Sequence, residues 1–221
     1  MNRAVAAEFL GTLLLVAAVV GSGIMAERLA GGNAALALLA NTLATVAALY
    51  VLIRIFGPVS GAHFNPVVTG VMVVRKALPA PAGIRYAAAQ FTGGAAGAGL
   101  ANLMFALPPI SFSGTPRSSP ALWLSEIVAT FALLLAILGV DRKHAPTAVA
   151  AMIGAAYWFT ASTSFANPAV TVARSLSNTF SGIAPASVPA FVAMQAIGAA
   201  LATIAASYLF PTPYRSEPDV A

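Results

Sequence analysis

Few side chains in this sequence can do polar chemistry, and those that can come in pairs. Asn65-Pro66-Val67 and Asn167-Pro168-Ala169 each lie inside an apolar run. An asparagine amide there can donate hydrogen bonds to a passing molecule and can also cap a helix start. The proline after it suits the first helical position, where its missing N–H has no helical partner. Each motif therefore predicts the start of a short helix set deep in apolar surroundings. Two carboxylates, Glu8 and Glu126, also fall within apolar stretches. An intramembrane carboxylate is commonly functional or holds elements together, whereas one near a membrane face can snorkel to water. His63 reads equally as a satisfied loop histidine or as a pore-gating residue. This is chemistry for exchanging hydrogen bonds with a neutral molecule. Covalent catalysis fits poorly: only His63 and His144 could serve as a base, and no serine nucleophile motif accompanies them.

The elements that must position these groups follow from composition. The chain has 221 residues, of which 59% are hydrophobic and 8% charged, and its mean hydropathy is +0.87. Soluble domains carry about 25% charged residues, so this is a polytopic membrane protein. With no cysteine, disulfides and thiolate metal sites are excluded. No cofactor is expected. The net charge of +5 is scattered over connections, which argues against a nucleic-acid partner.

Apolar periods predict spans at about residues 4–25, 34–56, 82–105, 121–140, 147–161 and 190–210. The first has the length of a signal peptide, but Glu8, its apolar length and its later recurrence favour a retained helix. Residues 57–64 read as a loop. The apolar piece after Asn65 ends at Arg75-Lys76, and the one after Asn167 ends near Asn178. Both are shorter than the ~20 residues needed to cross a bilayer. Residues 107–120 form a polar loop, 181–189 a connection, and 211–221 a polar tail.

The two halves, about 1–106 and 121–210, repeat each other within one transmembrane domain. Glu8 answers Glu126, the Asn-Pro pairs answer each other, and Gln90-x-x-Gly93 answers Gln195-x-x-Gly198. Three spans per repeat force the second copy to lie upside down, an arrangement typical of pores and transporters. Loop charge then sets the orientation. With both termini cytoplasmic, the inner side carries Arg3, Arg54, Arg75, Lys76, Arg85, Arg142, Lys143 and Arg215, against Arg28, Arg117 and Arg174 outside.

The two half-helices then meet start to start near the midplane. Each start carries roughly half a positive charge from its dipole, which repels cations. The irregular segments Gly61, Ala62, His63, Phe64 and Ser164, Phe165, Ala166 offer carbonyls to a passing molecule. Backbone of this kind is tolerated at membrane depth only if it is buried or lines a wet cavity. An ion-coupled secondary transporter is the alternative. It needs an ionisable site at the midplane, and Glu8 and Glu126 lie nearer the faces.

These residues resemble the aquaporin (major intrinsic protein) family. The resemblance rests on Glu8 with Gly11-Thr12, the run from Ser60 to Pro66, Asn167-Pro168-Ala169 and the two Gln-x-x-Gly sites. It covers nearly the whole chain. It implies an all-α membrane fold of six spanning helices and two re-entrant half-helices in an inverted repeat. It also implies passive conduction of water and small uncharged solutes, a homotetramer in the plasma (inner) membrane, and hydrogen bonds from the re-entrant loops to Glu8 and Glu126. In the family the narrowest ring usually includes an arginine three residues after the second asparagine, where this chain has Val170. Carried over by spacing, the rest of that ring falls on Thr45, Ala155 and Ser164. The implied filter is wide and lacks the usual arginine. This pattern is nearest to divergent bacterial aquaglyceroporin-like proteins, some of which are linked to metalloid acids such as arsenite. Arg174, seven residues after Asn167, is open to two readings. It could guard the outer vestibule, or it could sit near a helix C-terminus and point to water or a neighbour; the second is favoured.

Overall fold

A computed structural model describes residues 2–210. The expected tail, 211–221 with Arg215, lies outside the described residues. The element order is α1 (Arg3–Leu29), α2 (Ala34–Ser60), α3 (Pro66–Val74), α4 (Ala80–Met104), α5 (Pro120–Leu138), α6 (Ala145–Phe159), α7 (Pro168–Arg174) and α8 (Val188–Leu209), with a 3-10 turn over Pro185–Ser187 before α8. The six-plus-two helical plan is therefore present among the described residues. Helices α1, α2, α5 and α8 are long and apolar enough to cross a membrane. The chain is a membrane protein. α4 is long but rich in Gly and Ala, and α6 is apolar but only 15 residues.

Local chemistry sets the boundaries. The side chains of Asn2, Asn33 and Ser119 cap α1, α2 and α5 by accepting backbone N–H groups. One expectation is corrected here. Residues 57–60 are helical rather than loop, and α2 runs through Pro58 to Ser60. A membrane helix tolerates proline where neighbours serve the freed backbone groups. The stop comes at Gly61, in the left-handed region at φ 87°, whose N–H returns to the Gly57 carbonyl.

Helix α1 packs on α2 and α4, α5 on α6 and α8, and α2 meets α6 across the repeat. Glycine sets the closest crossings. A Cβ on Gly93 or Gly97 would overlap the carbonyls of Phe9 or Leu13 on α1, and one on Gly198 would overlap that of Ile127 on α5. Outward faces carry exposed Leu36, Leu43, Leu103 and Ile204. Lipid tails are as apolar as leucine, so burying such side chains does little to hold the helices together. Close packing and buried hydrogen bonds must do so.

Candidate functional site

The centre of the molecule is two re-entrant segments held by mirrored hydrogen bonds. The Asn65 side chain accepts from Val67 N at 3.0 Å, and the Asn167 side chain from Ala169 N at 3.0 Å and Val170 N at 3.2 Å. Their amide nitrogens cross over. Asn65 Nδ2 donates to the Ala166 carbonyl and Asn167 Nδ2 to the Phe64 carbonyl, both at 2.8 Å. A primary amide has two hydrogens. Each asparagine therefore keeps one for the lumen, and both residues line the central cavity.

The loops before them share a backbone signature. Ala62, Phe64, Ser164 and Ala166, three and one residues ahead of each asparagine, all have φ near +50°. A non-glycine residue there costs on the order of 1–2 kcal/mol, so the surroundings must hold it. Glu8 does this for the first loop. Its carboxylate accepts from Ser60 Oγ at 2.6 Å, His63 N at 3.0 Å, Phe64 N at 2.7 Å and Gln90 Nε2 at 2.7 Å. Glu126 does the same for Ser162 Oγ (2.6 Å), Phe165 N (3.0 Å), Ala166 N (2.9 Å) and Gln195 Nε2 (2.6 Å). Both carboxylates are fully buried. They brace the loops and do not snorkel.

A cavity of about 350 Å³ passes between the halves. Its wall includes residues 57–65 on one side of the asparagines and Ser164, Phe165, Val170 and Arg174 on the other. Leu15, Val19, Leu49, Leu133 and Val149 supply much of the apolar lining. Thr45, Ser164 and Val170 all reach this wall, while Pro66, Val67, Pro168 and Ala169 form helix turns behind the asparagines. Ala166 is not part of the wall: its methyl is buried in the core, and its backbone serves the site, the carbonyl at Asn65 and the N–H at Glu126.

One expectation changes. Ala155 lies on the exposed face of α6, whereas Ile153 and Tyr157 of the same helix line the cavity. Two residues along a helix are about 200° around it, so a two-residue offset in counting selects the wrong face. Tyr157 Oη reaches Thr45 Oγ1 at 3.5 Å. Arg174 ends α7, as expected, and of the two surroundings open to it there, water or a neighbour, it has the neighbour. It is 3% exposed, stacks 3.5 Å from the centre of the Phe165 ring, donates from Nε to the Ser181 carbonyl, and lines the cavity. The loop 105–119 makes this burial possible. Ser111 N and Ser113 N bond to the carbonyls of Leu176 and Ser175, closing the loop over the end of α7.

On the opposite side His63 Nδ1 lies 3.1 Å from Thr69 Oγ1, and the ring sits edge-on to Tyr86. Thr69 Oγ1 already accepts from Gln90 Nε2 at 2.9 Å. His63 and Gln90 thus share the Thr69 hydroxyl, which ties the imidazole to the bracing network.

Paired half-helices, crossed asparagines and carboxylate-braced loops around one cavity agree with the sequence comparisons. A family model described as major intrinsic protein matches residues 1–162. The chain belongs to the major intrinsic protein family. The aquaglyceroporin AqpS of Rhizobium meliloti (strain 1021) is 54% identical over 205 residues, covering 91% of this chain and 88% of that protein. Aquaporin TIP2-3 of Zea mays is 33% identical over 166 residues, covering 69% and 66%. The X-ray structure of the aquaglyceroporin from Plasmodium falciparum superposes with a TM-score of 0.75 over 95% of this chain and 97% of that one. At 18% identity that match speaks to the fold. As a member of this family, the chain is a passive membrane channel.

Proposed function

We propose that this channel passes water and small uncharged solutes of the glycerol class through a ring formed by Thr45, Ser164, Val170 and Tyr157, with Arg174 at its edge. The observation that carries the reading is the cavity wall at Val170. A valine occupies the turn of α7 nearest Asn167, and the arginine enters one turn later, stacked back against Phe165. That leaves more room beside Asn167 than an arginine at 170 would. The free amide hydrogens of Asn65 and Asn167 and the carbonyls of residues 61–64 replace water around the solute. The facing starts of α3 and α7 oppose cations. Neutral metalloid acids are of suitable size and polarity. The working form is a homotetramer in the plasma membrane with cytoplasmic termini, the orientation supported by loop charge.

Proteoliposome light scattering tests the reading. Gradient-driven glycerol swelling without any sodium or proton gradient is the expected result, and a requirement for either gradient would overturn it. Val170→Arg should cut glycerol flux about tenfold or more, by the scale of one lost polar contact plus a steric block, and reduce water flux far less. Equal fluxes in wild type and variant would remove Val170 from the constriction.

A further inference from the structure

Two arginines converge on one phenylalanine at the mouth of the cavity. Arg174 comes from the end of α7 and Arg117 from the loop before α5, and their guanidinium carbons lie 3.5 Å and 5.2 Å from the centre of the Phe165 ring. Each donates through Nε to a neighbouring carbonyl, Arg174 to Ser181 and Arg117 to Gly182, the latter at 2.8 Å. Ser187 Oγ accepts from the Arg117 backbone N–H and fixes the loop. The Nε bonds and the ring stacking hold both guanidinium planes and leave the terminal nitrogens free. Among the described residues, no carboxylate lies within ion-pair distance of either arginine.

Two like charges held close, with the nearest carboxylate, Glu126, committed to bracing the loop, are costly. Arg174 is 97% removed from exposure yet borders the lumen. Beside it, the buried Ser164 hydroxyl has no hydrogen-bond partner, and neither has that of Ser181. A forked cation and an unused hydroxyl lining one space, with a second cation stacked on the same ring, suit a ligand with several oxygens and a negative charge. Guanidinium groups bind such ligands bidentately. A neutral polyol would give the guanidinium nitrogens no charged partner at hydrogen-bond range.

We infer that the Arg174–Arg117–Ser164 cluster is a binding site for a small oxyanion, which on binding obstructs entry of neutral solutes. This goes beyond the proposed conduction of uncharged solutes. Inorganic phosphate is the probe, with chloride at equal ionic strength as its control. In proteoliposomes, phosphate added outside should slow glycerol swelling in a saturable way, and chloride should not. Arg174→Gln should raise the phosphate concentration for half-inhibition about tenfold or more, the scale of a charge-assisted contact, and Arg117→Gln several-fold. The thermal unfolding midpoint of the purified chain should rise with phosphate in wild type and less so in both variants. That readout needs no transport, so a protein that fails to conduct glycerol still tests the site. Equal effects of phosphate and chloride, or an unchanged phosphate response in Arg117→Gln, would overturn the inference even if Arg174→Gln does not fold.

Discussion

The two re-entrant segments share one skeleton and differ in what hangs on it. Ser60, His63 N and Phe64 N bind Glu8 as Ser162, Phe165 N and Ala166 N bind Glu126. Gln90 bridges Glu8 and Thr69, and Gln195 bridges Glu126 and Thr171. The two threonine hydroxyls then part ways. Thr171 Oγ1 donates to the Asn167 carbonyl at 2.7 Å, whereas Thr69 Oγ1 faces His63. At the matching position the second segment has Phe165, which carries arginines instead of a histidine contact. The brace is duplicated because a left-handed, non-helical loop needs the same support on either side. The side chain two residues before each asparagine is free to differ, and it gives one mouth an imidazole and the other a guanidinium stack.

The sharpest way to break this equivalence is to remove the braces. Glu8→Ala and Glu126→Ala should each cost about 3–5 kcal/mol, because buried donors lose an acceptor. Thermal unfolding in detergent would read the loss. Markedly unequal losses would mean that the loops are held by different forces.

A second comparison concerns the helix crossings. Gly93→Ala and Gly198→Ala each set a methyl against a backbone carbonyl of the partner helix. Overpacking of this kind costs about 1–3 kcal/mol, and both variants should lower the unfolding midpoint. If only one does, that crossing alone is rigid. The smallest effects belong to α6. Tyr157→Phe removes a hydroxyl whose contact with Thr45 is long, so stability should fall by less than about 1 kcal/mol while glycerol flux shifts measurably. Ala155→Leu, on the exposed face, should leave flux unchanged and stability within about 0.5 kcal/mol. A flux change in Ala155→Leu with none in Tyr157→Phe would reverse the assignment of the α6 faces.

The spans, the half-helices and the repeat were legible because apolar length and Asn-Pro capping are local signals. So was the end of α2, in principle: Gly61 is a stop signal, but Gly57 and Pro58 drew the boundary too early. The face of α6 was not legible, since it depends on how residues 160–166 return to Asn167. The burial of Arg174 was not legible for a related reason. A cation at a helix end looks solvated until loop 105–119 closes over it. The left-handed residues left no mark, because Ala62, Phe64, Ser164 and Ala166 are not residue types that favour that region.

The crossed asparagine bonds join residues 101 and 103 positions apart. During synthesis the first half waits for its counterpart for roughly 5–20 s, at the usual rate of about 5–20 residues per second. Until then neither loop has its opposing amide, and the lumen has only one wall. A nascent or truncated chain is thus expected to be leak-proof by incompleteness. The conduit has both its walls only once the second re-entrant segment docks on the first.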